Sequence, residues 1–271
     1  MSTAVLEQVV EPREAVVEPP EQTWALPPRP DISHLVTEDD TPVDNIFSEK
    51  EQRLLTAPLY GAWQPGRPFA VFANVALYYA INQPPLVPDV FLSLDVTVWD
   101  DLWPKEHRSY FLWEFGKAPD VVIEIVSNRK GGERDEKMRR YEAIRIPYYV
   151  VYDPMRLVQE EELVVFEWTV EGYRPRADTM LPKVGLGLQV WEGVFEGTRS
   201  RWLRWCDAEG KLIPTADERA QEAERRAEEE RRRAKEERRR AEEAERRAEE
   251  ERRRAERLAA RLRELGIGPE S

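Results

Sequence analysis

Three charged residues lie in or beside segments that otherwise look like the core of a sheet. Asp89 opens one apolar run, Glu124 lies in the middle of the run DVVIEIVS, and Lys137 belongs to the helix-forming segment that follows. Mg²⁺ prefers carboxylate oxygens and keeps waters that can act as nucleophiles. A nearby lysine can hold that water and stabilise charge on a phosphoryl centre. The three residues therefore predict a Mg²⁺ (or Mn²⁺) site with Asp89 and Glu124 as ligands and Lys137 orienting the water.

Structural explanations for the same acidic residues stay open at this stage. An ionised glutamate in a strand is costly to bury unless it is paired, so Glu124 either faces water from an edge strand or pairs with an arginine. Asp120, at the start of the same strand, is expected to bond to the backbone rather than to a metal. Asp95 shares a face with Asp89 only where the strand stays regular, because a spacing of six preserves parity.

Composition excludes several other kinds of site. The formal net charge is −12, and residues 1–50 hold 11 acidic and 3 basic residues, so most of the acidity lies there. This argues only weakly against a nucleic-acid partner. Cys206 is the only cysteine, and His34 and His107 are the only histidines, which argues against disulfides, zinc clusters and Ser-His-Asp triads. No apolar run of 18 residues and no signal sequence are present, so we expect a soluble cytoplasmic protein.

The chain divides into four regions by composition. Residues 1–45 are rich in Glu, Pro and Val without helical or strand periodicity, and are expected to form a disordered acidic arm. Residues 46–213 are expected to form the compact domain. Residues 214–265 predict a long Glu/Arg-rich helix, and residues 266–271 a short tail.

Within the domain, apolar and β-branched runs bounded by Pro, Gly or polar clusters predict five strands. They are FAVFANVALYYAI (69–81), VPDVFLSLDVTVW (87–99), DVVIEIVS (120–127), PYYVVYDP (147–154) and ELVVFEWTV (162–170). The segment GGERDEKMRRYEAIRI predicts a helix between the third and fourth strands, which is a βαβ-like unit. The fold class is therefore α/β (α+β), with a mixed sheet that a helix covers on one face. WLRWCDAEGKLI (202–213) predicts a hairpin.

Both ends of the domain carry helix signals. Ser48 with Glu51 three residues later forms a capping-box pattern, and a metal-site role for Glu51 as a first-helix acid is the alternative. Thr215 with Glu218 forms the same pattern at the start of the long helix, and Gly266 is its predicted stop. The long helix repeats AERRAEEERRRA at an offset of 21, with alanine on one heptad position. A solitary solvated helix and a weak coiled coil, which would give a homodimer, both remain open.

Three segments resemble a known family. VPDVFLSLDV, APDVVIEIVSNRKGG and EKMRRYEAIRIPYYVVYDP are similar to the Uma-two family of restriction-endonuclease-like proteins, within the PD-(D/E)XK nuclease superfamily. The resemblance covers roughly 45–213. It implies a restriction-endonuclease-like core, which is a mixed sheet flanked by helices, and a Mg²⁺-dependent site that cleaves phosphodiester bonds. The first aspartate of the superfamily pattern falls on Asp89, and the acid of its second half-motif falls on Glu124.

The sequence departs from the superfamily pattern at the lysine. That residue is expected two positions after the acid, where this chain has Val126. Lys137, four residues before Tyr141, fits the family's helical lysine, and Lys130 in the preceding loop is its rival. The leading hypothesis is a Mg²⁺-dependent DNA endonuclease, and the alternative is an inactive nuclease-fold module that binds partners through its C-terminal helix. A glycoside hydrolase with two carboxylates is poorly supported, since it leaves Lys137 without a role.

Overall fold

The structure is a computed structural model, and it describes residues 30–35, 45–127 and 132–264, with the backbone alone at 132–135. Residues 30–35 belong to a separate N-terminal unit and form a turn, in which the Leu35 N–H donates to the Ile32 carbonyl at 3.1 Å. Most of the predicted acidic arm lies outside the described residues, as do Gly266 and the tail, so these expectations stay predictions.

Residues 45–264 contain four α-helices and eleven strands in the described part of the chain. In chain order they are α1 (Ile46–Ala62), β1 (Phe69–Ala73), β2 (Leu77–Tyr78), β3 (Val90–Leu94), β4 (Tyr110–Phe111), α2 (Leu112–Phe115), β5 (Val121–Ile125), α3 (Gly132–Ala143), β6 (Tyr148–Tyr152), β7 (Leu163–Thr169), β8 (Gly172–Pro175), β9 (Met180–Leu181), β10 (Leu186–Phe195), β11 (Thr198–Cys206) and α4 (Ala216–Glu264).

The main sheet has six strands in the order β1-β3-β5-β6-β7-β8. Only β5 and β6 are parallel, with Val121 opposite Tyr148 and Ile125 opposite Tyr152, and the other four pairs are antiparallel. A parallel pair needs a crossover connection, which α3 supplies. The predicted mixed sheet and βαβ-like unit are therefore confirmed.

Each face of this sheet carries its own apolar core, because side chains alternate along a strand. On the first face, Val121, Ile123 and Ile125 pack with α1 and with β10 and β11. On the second face, Val122 packs with Tyr141 of α3 and with residues of β2 and β4. Glu124 shares the parity of Val122, so it belongs to the second face, beneath α3.

A second sheet, ordered β11-β10-β9, completes the first core. Its long antiparallel pair joins Gly187 to Cys206 at one end and Phe195 to Thr198 at the other. The strands β4, β8, β9 and β10 were not predicted from the sequence. The hairpin predicted at 202–213 is present only as a short extension, with a bridge between Cys206 and Leu212.

The start of α1 differs from the prediction. Asn45 is the N-cap, and its side chain accepts a hydrogen bond from the Ser48 N–H. The helix therefore begins before Ser48, and the capping box of Ser48 with Glu51 is wrong. Glu51 is instead fully buried, and its Oε1 accepts a hydrogen bond from the Leu203 N–H of β11 at 3.0 Å.

The capping box at the start of α4 is confirmed. The Glu218 N–H donates to Thr215 Oγ1 at 3.2 Å, and the Thr215 N–H donates to Glu218 Oε2 at 2.8 Å. Arg204 of β11, which is 2% exposed, also donates to both carboxylate oxygens of Glu218. These bonds join the first turn of α4 to the second sheet.

Beyond this first turn, α4 is solvated along its length. It has 49 residues and no buried side chain among them, and at about 1.5 Å per residue it extends about 74 Å. The helix is strongly hydrophilic. None of the described helices is both long and apolar enough to cross a bilayer.

Candidate active site

Asp89 and Glu124 are neighbours across the ladder between β3 and β5. Val90 is opposite Ile123 in this antiparallel pair, so the register continued by one residue sets Asp89 opposite Glu124. Directly opposite residues project to the same face, with Cβ atoms about 4.5–5.5 Å apart. Asp89 is also held by the backbone, because its Oδ2 accepts a hydrogen bond from the Ile125 N–H at 2.6 Å.

Lys137 and Tyr141 of α3 bind the two oxygens of Glu124. The Lys137 ammonium donates to Glu124 Oε2 at 2.8 Å, and the Tyr141 hydroxyl donates to Glu124 Oε1 at 2.6 Å. Residues four apart lie on one face of a helix, so a single helical turn supplies both donors. The Lys137 side chain keeps 31% of its surface exposed, whereas that of Glu124 keeps 11%. The lysine therefore lies on the solvent side of the carboxylate.

The electrostatics of the site keep Tyr141 protonated. Burial raises the pKa of its hydroxyl well above the usual value, and the negative charge of Glu124 raises it further, with a smaller contribution from Asp89. Both carboxylates thus act on one hydroxyl, which agrees with their position side by side. Because its hydroxyl stays protonated, Tyr141 acts on Glu124 as a hydrogen-bond donor.

The donor set fits a hard divalent cation. Two carboxylates on one face offer the oxygen ligands that Mg²⁺ takes, and Mg²⁺ usually binds one or two carboxylates while water or phosphate completes its shell. In residues 30–35, 45–127 and 132–264, no group of three or more His, Cys, Asp or Glu side chains could hold a metal ion. Glu124 has about four acceptor positions, of which the bonds to Lys137 and Tyr141 use two.

The other acidic candidates of the two strands have structural roles. The carboxylate of Asp120 accepts the Leu94 N–H at 2.7 Å and pairs with Lys117, which confirms the predicted backbone role. Asp95 lies beyond the end of β3 with a φ of 58°, and its carboxylate pairs with Arg67 at 3.2 Å. Because the strand is not regular through Asp95, this residue does not share the face of Asp89.

Glu51 does not join the site. Its partner Leu203 belongs to the core on the first face of the sheet, whereas Glu124 lies on the second face. The alternative in which Glu51 completes a metal site is therefore wrong, because α1 covers the opposite face of the sheet. Burial raises the pKa of Glu51 well above its usual value.

The structure brings Lys137, rather than Val126, into contact with Glu124. Val126 packs against the apolar core of the second face, and its N–H donates to the Tyr152 carbonyl at 2.8 Å. The rival Lys130 lies outside the described residues. Tyr141 was noted in the sequence only for its spacing from Lys137, and it was given no role there. The same spacing of four could have identified it, since it places both side chains over one residue of β5.

A remote neighbour is found among the solved structures. It is the crystal structure of a "putative nuclease belonging to DUF820" from Anabaena variabilis, with 15% sequence identity and a TM-score of 0.36. The alignment covers 51% of this chain and 71% of that one. No curated protein matches the chain.

The family comparison is more extensive. Residues 11–190 match the family Uma2, which is described as "Putative restriction endonuclease". The matched region includes the whole six-stranded sheet together with Asp89, Glu124 and Lys137. The mixed sheet flanked by helices agrees with the fold class expected from the sequence. The chain belongs to the Uma2 family of restriction-endonuclease-like proteins.

Proposed function

We propose that this protein is a Mg²⁺-dependent DNA endonuclease whose site consists of Asp89, Glu124 and Lys137. The observation that carries the proposal is the contact of the Lys137 ammonium with a carboxylate that lies opposite a second carboxylate. This contact supports delivery of the catalytic lysine by α3 rather than by β5. The position of the ammonium matters for catalysis, and the backbone that supplies it does not.

Each residue has a distinct task in this proposal. When bound, the cation supplies Lewis-acid stabilisation of the phosphoryl oxygens and a water of lowered pKa. Asp89, fixed by the Ile125 N–H, and Glu124, fixed by Tyr141, provide its protein ligands. Lys137 orients the attacking water and balances the negative charge that develops on the phosphoryl group.

DNA as the substrate rests on the family and on the chemistry of the site. The family description names a restriction endonuclease, and two carboxylates with a lysine suit a phosphodiester. The segment 136–145 includes the last eight residues of α3 and the two residues after it. It holds four basic and two acidic residues, although the whole chain is acidic. Only the C-terminal part of the helix, from Lys137 onward, is therefore locally positive toward a polyanion, because α3 as a whole holds four basic and four acidic residues.

Nicking of supercoiled plasmid in Mg²⁺ tests the proposal. Glu124→Gln, Asp89→Asn and Lys137→Met should each lower the nicking rate by about 100-fold or more, as expected for loss of a preorganised charge. The matched control is Lys183→Met. Lys183 also pairs with a glutamate, Glu167 at 3.1 Å, but Glu167 lies opposite Tyr148 of the first core. Nicking by Glu124→Gln at the rate of the unaltered protein would contradict the assignment.

A second candidate function is an inactive nuclease-fold module that recruits a partner, or a second copy, through α4. The observation that favours it is the closed arrangement of Glu124, whose two oxygens are already bound by Lys137 and Tyr141. Calorimetric titration with Mg²⁺ separates the two candidates. Binding that is lost in Asp89→Asn supports the enzyme, and no binding by the unaltered protein supports the module.

A further inference from the structure

A cleft separates the C-terminal end of α3 from the hairpin of β7 and β8. Its volume is about 410 Å³, and its lining includes Arg139, Glu142, Arg145, Trp168 and Val170. It lies on the second face of the sheet, the face that also carries Glu124, because Trp168 packs against that core. Neither the family match nor the proposed metal site assigns a role to these residues.

The cleft combines a planar aromatic wall with an exposed apolar tip. The Arg145 guanidinium lies over the Trp168 ring, 5.6 Å from its centroid. The backbone N–H of Trp168 donates to the Pro147 carbonyl at 2.9 Å, so the backbone that carries the ring is fixed. Val170, at the turn of the hairpin, is 93% exposed. Indole and guanidinium planes are the surfaces on which unpaired nucleic-acid bases stack.

The charges of the cleft favour an anion. Arg139 and Arg145 are exposed and form no ion pair with any residue that the structure describes, whereas Arg174 on the same hairpin pairs with Glu171. The acidic member of the lining, Glu142, packs against Gly172, where a Cβ atom would collide with its carboxylate. Among the described residues, these two guanidiniums therefore lack an acidic ion-pair partner and share the cleft with one carboxylate, which is held against the wall.

The distance to the metal site fits a nucleic-acid strand. Ala143, which lines the cleft, comes six positions after Lys137 in α3, and this corresponds to a rise of about 9 Å along the helix axis. Stacked nucleotides advance by about 3.4 Å per nucleotide along one strand, so this distance corresponds to two or three nucleotides.

We propose that this cleft binds a single strand of nucleic acid two or three nucleotides from the scissile phosphate. In the complex Arg145 moves off the Trp168 ring and binds a phosphate, as Arg139 does, and an unpaired base takes its place on Trp168 beside Val170. The inference rests on the proposed nuclease function, because it assigns the flanking strand of the same substrate. It predicts a preference for DNA with an unpaired segment over a continuous duplex.

The test is fluorescence anisotropy with a labelled 20-nucleotide single strand and its duplex, using the full-length protein in EDTA so that no cleavage occurs. Trp168→Ala should weaken single-strand binding about tenfold. Arg139→Gln with Arg145→Gln should reduce the slope of log affinity against log salt by about 1.4, since each phosphate contact contributes about 0.7 for single strands. Glu142→Gln should strengthen binding, because it removes the one negative charge of the lining. Arg174→Gln is the matched control and should bind like the unaltered protein.

The outcomes separate this inference from the proposed catalysis. Unchanged affinity in the Trp168 and arginine variants overturns the inference, even where the unaltered protein nicks plasmid. Loss of binding in those variants supports the cleft, even where no nicking is found. Duplex binding as tight as single-strand binding, or deoxyadenosine monophosphate binding as tight as the oligonucleotide, also overturns it.

Discussion

The Lys137 ammonium lies 2.8 Å from Glu124 Oε2, although thirteen residues and a change from strand to helix separate the two in the chain. The contact arises because α3 crosses back over β5 in the parallel β5–α3–β6 unit. Val126, at the position where the superfamily pattern has its lysine, is thereby free to extend the apolar core. In the proposed site, α3 supplies the lysine that the superfamily pattern has on the strand.

The first prediction concerns the hydroxyl of Tyr141. Tyr141→Phe keeps the ring in its buried position and removes the hydrogen bond to Glu124 Oε1. Hydrogen bonds to charged groups contribute about 1.5–3 kcal/mol, so we expect a comparable loss in the free energy of unfolding by urea. We also expect about tenfold slower nicking, since Glu124 loses the contact that fixes its orientation.

Tyr173→Phe is the control for this prediction. Tyr173 is also buried on the second face, and its hydroxyl donates to the Ile146 carbonyl at 2.9 Å, away from Glu124. This variant should lose stability without slower nicking by the folded protein. Equal nicking rates for Tyr141→Phe and the unaltered protein would remove Tyr141 from the site.

Local signals account for what the sequence predicted well. The strand β5, the helix α3 and the strand β6 are contiguous, so the βαβ-like unit and the Glu124–Lys137 pair depend on neighbouring segments alone. The capping box of Thr215 and Glu218 is equally local. Such features are visible to periodicity and capping rules, because no distant part of the chain overrides them.

Distant contacts account for the errors. The pattern of Ser48 and Glu51 matches a capping box, yet Glu51 binds Leu203, 152 positions away in the chain. Asn45, three residues before Ser48, caps the helix instead. The strand β10 was missed because Gly187 and Gly193 interrupt its apolar pattern. Gly187 lies against the side chains of Met180 and Cys206, a packing reason that the sequence does not reveal.

The second prediction concerns the pH dependence of stability. Burial raises the pKa of Glu51 in the folded protein, and the hydrogen bond from the Leu203 N–H lowers it by less. The folded state therefore holds a proton on Glu51 that the unfolded state releases. Stability from this group is present below the unfolded pKa near 4.5 and is lost as the pH rises through the folded pKa.

Glu51→Gln tests this pH dependence. The amide oxygen can still accept from the Leu203 N–H, and the buried negative charge is removed. We expect a higher free energy of unfolding at pH 8 than in the unaltered protein, by roughly 1.4 kcal/mol for each unit by which the pKa is raised. At pH 4 the two proteins should differ little. A variant that is less stable at pH 8 would contradict the raised pKa.

The third prediction concerns the junction between β11 and α4. Arg204→Met removes a buried guanidinium that binds both oxygens of Glu218, donates to the Ile213 carbonyl and lies over the Trp191 ring. Glu218 is partly exposed, so we expect a loss of about 2 kcal/mol, between the values for surface and buried pairs. Hydrogen exchange should accelerate in the first turn of α4. Arg225→Met, which removes an exposed pair with Glu222, should leave both measurements unchanged.

The fourth prediction is that α4 is a solitary helix rather than a coiled coil. One heptad position carries arginine throughout, and rows of glutamate lie beside it. The arginines are Arg219, Arg226, Arg233, Arg240, Arg247, Arg254 and Arg261. Ion pairs within α4 join residues three or four apart, such as Arg233 with Glu229 and Arg240 with Glu236. Rows of opposite charge that lie side by side form ion pairs within a single helix, so no second helix is needed to neutralise them.

A coiled coil would have to bury glutamate in its seam. The position three residues after the alanine row holds Glu230, Glu237 and Glu251, and its large apolar residues, Leu258 and Leu265, come only at the end. Light scattering should therefore give the monomer mass for the full-length protein, and deletion of 223–264 should reduce that mass only by the deleted residues. The contribution of α4 to the circular dichroism is the difference between the full-length and the deleted protein, and it should not depend on protein concentration. This contribution should decrease in 1 M salt, because salt screens exposed ion pairs. A full-length dimer that becomes monomeric on deletion would contradict this prediction and establish the homodimer instead.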